Sequence, residues 1–218
     1  MMKIKNSAII YTGYDYQTLH GVRLLAEWLQ SPSKYIRAAF EADDESNKAP
    51  RGIDDIIFER ADGIVDFWQV KFTPSPEKDE NRLTWDWLLK VSGKTSNSRS
   101  ILKKIYDAIS QVSPERLGEV VLLTNKHPDR LIESCLCASV INFTEIDEEN
   151  RKEIVRQLGS IEACKLLFAK LTIQHSDGDY RTVERMVRSE LLKQSNESGV
   201  ERLISRAREW AMFEGNPP

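Results

Sequence analysis

Cysteine is scarce, and what there is forms no known metal or redox spacing. Cys135, Cys137 and Cys164 are odd in number, and a C-x-C pair is neither a zinc knuckle nor a C-x-x-C dithiol. That usage fits buried free thiols in a reducing, cytoplasmic setting. Histidine is equally thin. His20, His127 and His175 are dispersed, with no helical pair and no cysteine company, so nothing local reads as a zinc site. No apolar run approaches the roughly 18 residues of a membrane span. The opening "MMKIKNSAIIYTGYDYQ" has too short an apolar patch for a secretory signal and no small-residue cleavage site. There is no Gly-x-Ser-x-Gly, which removes the commonest hydrolase elbow. "SGKTS" (92–96) resembles the end of a P-loop, but position 88 is Leu where the earlier glycine belongs, and no strand runs directly into it.

The 218 residues, 40 % hydrophobic and 30 % charged, describe a soluble globular chain. A net charge of −3 argues mildly against nucleic acid as a partner. Its distribution is less discouraging. From Lys90 to Lys104 the chain carries Lys90, Lys94, Arg99, Lys103 and Lys104 with no acid, a stretch suited either to phosphates or to a solvated face. The five tryptophans, Trp28, Trp68, Trp85, Trp87 and Trp210, read as core or interface anchors rather than base-stacking platforms.

Periodicity predicts a helix over 15–29, a strand over 34–42, and a hairpin of "IDDIIFE" and "GIVDFWQVKF" closed by "RADG". A helix over 99–112 and a continuous apolar strand, "GEVVLLTN", follow. This order defines a mixed α/β core ending near residue 126. Beyond it come one possible short strand at 138–146 and four amphipathic helical segments, the second sharing a face through Ile161, Cys164, Leu167, Phe168 and Leu171. We expect a mixed α/β core at 1–126, a helical subdomain at 127–214, and a linker-like end, "GNPP", at 215–218 leading into a further domain.

The stretch "GIDDIIFERADGIVDFWQVKF" (52–72) carries the chemistry. Alternation points Gln69 and Lys71 the same way. In a hairpin the head of the first strand lies beside the tail of the second, so Asp54 or Asp55 approaches them. Which aspartate does so is open, because the two alternate. Glu41, ending the preceding strand, reaches towards the same edge. One or two carboxylates with a carbonyl oxygen suffice for Mg²⁺, which keeps several waters, and a lysine stabilises charge developing on phosphorus. The matching task is phosphodiester hydrolysis.

These residues resemble the PD-(D/E)xK nuclease superfamily in its Mrr-like branch. More narrowly, they resemble the N-terminal endonuclease domain of bacterial antiphage effectors of the CBASS and Avs-type STAND kinds. The resemblance rests on "GYxYQ" (Gly13, Tyr14, Tyr16, Gln17), Glu41, "DDI" (Asp54, Asp55, Ile56), "QVK" (Gln69, Val70, Lys71) and "LLTN" (122–125), in order over roughly residues 8–126. It implies a restriction-endonuclease-like core, a mixed sheet of about four to five strands flanked by helices. It also implies Asp54 or Asp55 as metal ligand, Lys71 as catalytic lysine, Gln69 where many relatives have an acid, and Glu41 as the compensating ligand. Gln17, at a helix start, is a candidate phosphate contact, with Lys90, Lys94 and Arg99.

The expected function is a Mg²⁺- or Mn²⁺-dependent endonuclease acting on double-stranded DNA. It would work as a homo-oligomer, with a C-terminal sensor or ATPase domain in the same polypeptide and no membrane. The rivals are a module that keeps this fold for DNA binding or oligomerisation without cutting, and a regulatory domain with no nucleic-acid role.

Overall fold

The computed structural model describes residues 6–40, 53, 55–91 and 98–212. Glu41, Asp54, Lys94 and the 215–218 end lie outside the described residues. The first helix, α1 (Asn6–Gln30), begins well before the expected residue 15. Gly13 costs a helix only about 1 kcal/mol and does not break it. The helix buries Tyr16, Leu19, Val22, Leu25 and Ala26, the 3–4 spacing of one face. Gly21 lies where α1 crosses the sheet, and a Cβ there would sit 1.7 Å from a Phe40 ring carbon.

Strands β1 (Tyr35–Phe40), β2 (Ile56–Arg60) and β3 (Val65–Lys71) form an antiparallel meander. The Asp-Gly turn closes as expected. Gly63 takes a left-handed φ of 84°, and Arg60 N–H donates to Ile64 O at 2.7 Å. Helices α2 (Trp85–Leu89) and α3 (Ile101–Ile109) carry the chain to β4 (Leu117–Thr124), which lies parallel to β3. Thr84 and Ser100 cap the two helices with their hydroxyls. From Val120 to Thr124 β4 is buried on both faces, which explains its unbroken apolar sequence.

The later half contributes α4 (Arg130–Cys135), β5 (Leu136–Cys137), β6 (Val140–Ile141), α5 (Glu148–Leu158), α6 (Ile161–Lys170), β7 (Leu171–Gln174), α7 (Tyr180–Leu192) and α8 (Glu197–Met212). The sheet order is β1-β2-β3-β4-β7-β6-β5. The described residues thus give a seven-stranded mixed sheet, not one of four to five strands. The segment after residue 126, expected to be helical apart from one short strand at 138–146, supplies three of these strands, of which β6 lies within that expected stretch. Leu171, assigned by periodicity to the face of α6, instead opens β7 and pairs with Val120. The helix stops at Lys170 because pairing beside β4 satisfies the backbone of 171–174 better than one more turn.

Two apolar cores lie on either side of the sheet. One joins Ile57, Phe67, Val120 and Leu122 to α2, α3, α5 and α6. The other joins Ile56, Phe58, Trp68, Val70, Val121 and Leu123 to α1, α7 and α8. Each side chain of this size contributes about 1.5–3 kcal/mol when fully buried. The result is an α/β protein in three layers. Cys135 and Cys164 are buried as expected, but Cys137 is exposed, since β5 is an edge strand.

Candidate active site at the carboxyl edge of the sheet

Strands β3, β4 and β7 run parallel, so their carboxyl ends lie on one edge. The amino end of antiparallel β2 joins them. Open α/β sheets bind ligands outside such an edge. Here the edge also gathers most of the buried polar side chains: Asp55, Gln69, Thr73, Thr124, Asn125 and Lys126. Burying polar groups costs free energy unless they are paired.

Register decides which aspartate meets the lysine. Ile56 faces Trp68, so the next pair outward is Asp55 and Gln69. Asp55, Gln69 and Lys71 share the parity of Ile57 and Phe67 and lie on that face. Asp55 Oδ2 accepts a hydrogen bond from the Gln69 side-chain amide and one of 2.6 Å from Val70 N–H. Lys71 Nζ stands 3.6 Å from the same oxygen. The carboxylate is nearly sealed, at 7 % exposure, whereas Lys71 keeps 37 % of its side chain in solvent. A buried carboxylate thus holds a lysine whose side chain is still partly in solvent.

The neighbouring strand braces this group. Thr124 pairs with Lys71 across the β3–β4 ladder. Asn125, fully buried, clamps the residue two places beyond Lys71. Its Oδ1 accepts from Thr73 N–H at 2.9 Å, and its Nδ2 donates to Thr73 O at 2.7 Å. Lys126 is 6 % exposed and donates to Asn81 O at 2.6 Å, with Nζ 5.1 Å from the Trp87 ring centroid. Burial pulls its pKa below the ordinary lysine value. Asn125 and Lys126 were missed as functional candidates. Their partners lie some 50 residues away, and no local spacing signals them.

On the far side of β3, α1 packs Tyr16 against Phe72, ring centroids 4.9 Å apart. His20 is fully buried beneath Tyr16. Asp177 Oδ2 lies 3.1 Å from His20 Nε2 but out of line for a hydrogen bond, while Arg23 donates to Asp177 Oδ1 at 3.3 Å. Burial, then the Arg23 charge, pushes the His20 pKa down to about 3. Asp177 is raised by its own burial against the pull of Arg23. This cluster ties α1 to the loop after β7.

The other predicted residues divide. Gln17 lies in the fourth turn of α1, not at a helix start, so no N-terminal amides surround it for a phosphate. Lys90 ends α2 as an exposed residue, in a hollow it shares with Asp86, Glu149 and Glu153. Arg99 lies 3.9 Å from Asp107, which also pairs with Lys103 at 2.6 Å. The acid-free stretch of sequence is therefore partly neutralised by the next turn of α3. Another hairpin acid, Asp66, is taken up by structure at the opposite end of β3, where Arg60 forks onto it at 2.7 and 2.8 Å.

No protein-family model matches the chain, and no curated protein sequence matches it. Function therefore rests on the residues themselves. The described residues contain no cluster of three or more His, Cys, Asp or Glu side chains suited to a metal. The donor set at the edge is smaller: Asp55 Oδ1 and Gln69 Oε1 have no hydrogen-bond partner among the described residues. One carboxylate and one amide oxygen, completed by water, meet the modest demand of Mg²⁺ for protein ligands.

Proposed function

We propose that the chain is a metal-dependent endonuclease hydrolysing phosphodiester bonds of double-stranded DNA, in the PD-(D/E)xK manner its motifs resemble. The observation that carries this reading is the meeting of Asp55, Gln69 and Lys71 at one strand edge, across a hairpin, with the lysine side chain partly exposed. Asp55 and Gln69 would hold a Mg²⁺ or Mn²⁺ ion, which when bound supplies an acidified water and neutralises phosphate charge. Lys71 donates to a phosphate oxygen and stabilises the charge that builds there. Asp55 holds the lysine in place, and Val70 N–H and Gln69 fix the rotamer of Asp55. Asn125 holds the backbone beyond Lys71 so that the ammonium meets the substrate without reorganising.

The finer expectations stand with this proposal: a restriction-endonuclease-like core, paired protomers addressing two strands, and a role as the effector part of an antiphage protein. Supercoiled plasmid with Mg²⁺ tests the chemistry. The wild-type chain nicks and linearises it, and Lys71→Met stops cleavage while keeping the melting temperature within a few degrees. Equal cleavage by Lys71→Met ends the proposal. Salt-sensitive retention on DNA without any cleavage favours the non-cutting module instead.

A further inference from the structure

Beside the candidate active site, the same edge carries a second cluster that the nuclease reading does not use. His127 follows β4 and His175 follows β7. His127 Nδ1 lies 2.9 Å from Ser176 Oγ, and His175 Nδ1 lies 3.0 Å from the same oxygen. Two imidazole nitrogens from different strand ends thus face one small volume, occupied by a hydroxyl.

The backbone around this volume is pinned. Ser176 N–H donates to Lys126 O at 3.1 Å, joining the two strand ends directly. His127 O accepts from Leu83 N–H at 2.8 Å, and Asp129 N–H returns to Leu83 O at 3.0 Å. Ser176 holds a left-handed φ of 58°, unusual for a non-glycine residue. That conformation places its hydroxyl between the rings. A hydroxyl has one proton and two lone pairs, so it can donate to one ring nitrogen and accept from the other.

Neutral imidazole is the preferred ligand of borderline divalent transition ions. Nitrogen–zinc bonds of about 2.0–2.1 Å require each ring to close in by less than about 1 Å as the serine hydroxyl rotates aside. Half-buried rings on a pinned backbone have that freedom. We propose that His127 and His175 form a two-imidazole site for a Zn²⁺ or Ni²⁺ ion, completed by water, that staples the loop after β4 to the loop after β7.

The site stands apart from the carboxylate donors and is tested without any cleavage assay. Zn²⁺ is titrated calorimetrically into the full chain and into Asp55→Asn, which removes the carboxylate site from the reading. Both should take up one ion per chain at the same affinity, with a raised melting temperature. His127→Ala and His175→Ala should each weaken binding at least about tenfold, whereas Ser176→Ala, which keeps both rings, retains it. Histidine-selective ¹⁵N NMR adds a readout independent of the variants: Nδ1 of His127 and His175 should shift on adding Zn²⁺ while His20 does not. Absence of saturable uptake overturns the site. So does uptake unchanged in either histidine variant, or NMR shifts confined to one ring.

Discussion

Replacing Asp55 in two ways separates its structural task from its proposed chemical one. Its Oδ2 accepts from Val70 N–H and the Gln69 amide inside a nearly sealed pocket. A hydrogen bond to a charged acceptor contributes about 1.5–3 kcal/mol, and a neutral one about 0.5–1.5. Asp55→Asn keeps an oxygen in place and lowers each bond by about 1 kcal/mol. Part of that loss is offset because a charge is no longer buried. The ion pair adds little, since Lys71 is more than one-third exposed and is solvated when freed. The net cost is about 1–2 kcal/mol, or about 2–8 °C in melting temperature for a chain of this size. Asp55→Ala leaves the Val70 N–H and the Gln69 amide without an acceptor and opens a cavity, for about 3–5 kcal/mol. Both variants should lose plasmid cleavage entirely. Urea unfolding followed by circular dichroism, alongside gel assays of cleavage, reads both quantities. Cleavage by Asp55→Asn at the wild-type rate refutes the metal-ligand role. Equal stability of the Asn and Ala variants refutes the buried-acceptor reasoning.

Three further outcomes are expected. His20 has a folded pKa of about 3 against an ordinary 6.5, so below pH 6.5 the unfolded chain binds the proton that the folded chain refuses; its contribution to stability, full above pH 6.5, falls by up to about 1.4 kcal/mol per pH unit on acidification. The raised Asp177 works in the opposite sense, so His20→Phe should flatten the loss between pH 6.5 and 5 in denaturant titrations, and an unchanged slope contradicts the assignment. Gly21→Ala should cost about 1–3 kcal/mol through overpacking against Phe40, and Phe40→Ala in the same chain should recover part of it; additive losses speak against the contact. Asn125→Ala should cost about 2–4 kcal/mol by stranding Thr73 N–H and C=O, and should lower kcat more than it raises KM; a purely KM effect argues against its positioning of Lys71.

The sequence made some of this legible and hid the rest for identifiable reasons. The β2–β3 hairpin was readable because strict alternation and an Asp-Gly turn leave few other folds for that segment. The approach of an aspartate to Gln69 and Lys71 followed from it, but choosing Asp55 needed the Ile56–Trp68 register. Strand β7 was hidden because "LTIQ" follows α6 with no glycine or proline between them, and Leu171 continues the helical spacing. Gln17 was misplaced because the strong helix signal begins at residue 15, while α1 already runs through "AIIYTG". The basic stretch looked stronger in one dimension than in three, since Asp107 folds back onto Arg99 and Lys103.

The late position of β7 has a consequence for how this chain is made. Until residues 171–174 leave the ribosome, the central strand β4 has one naked flank, so the sheet cannot close before residue 174 has been made. Asp15 waits longer still for its guanidinium, Arg208, 193 positions downstream. A product arrested before residue 171 therefore presents an apolar strand edge to its neighbours.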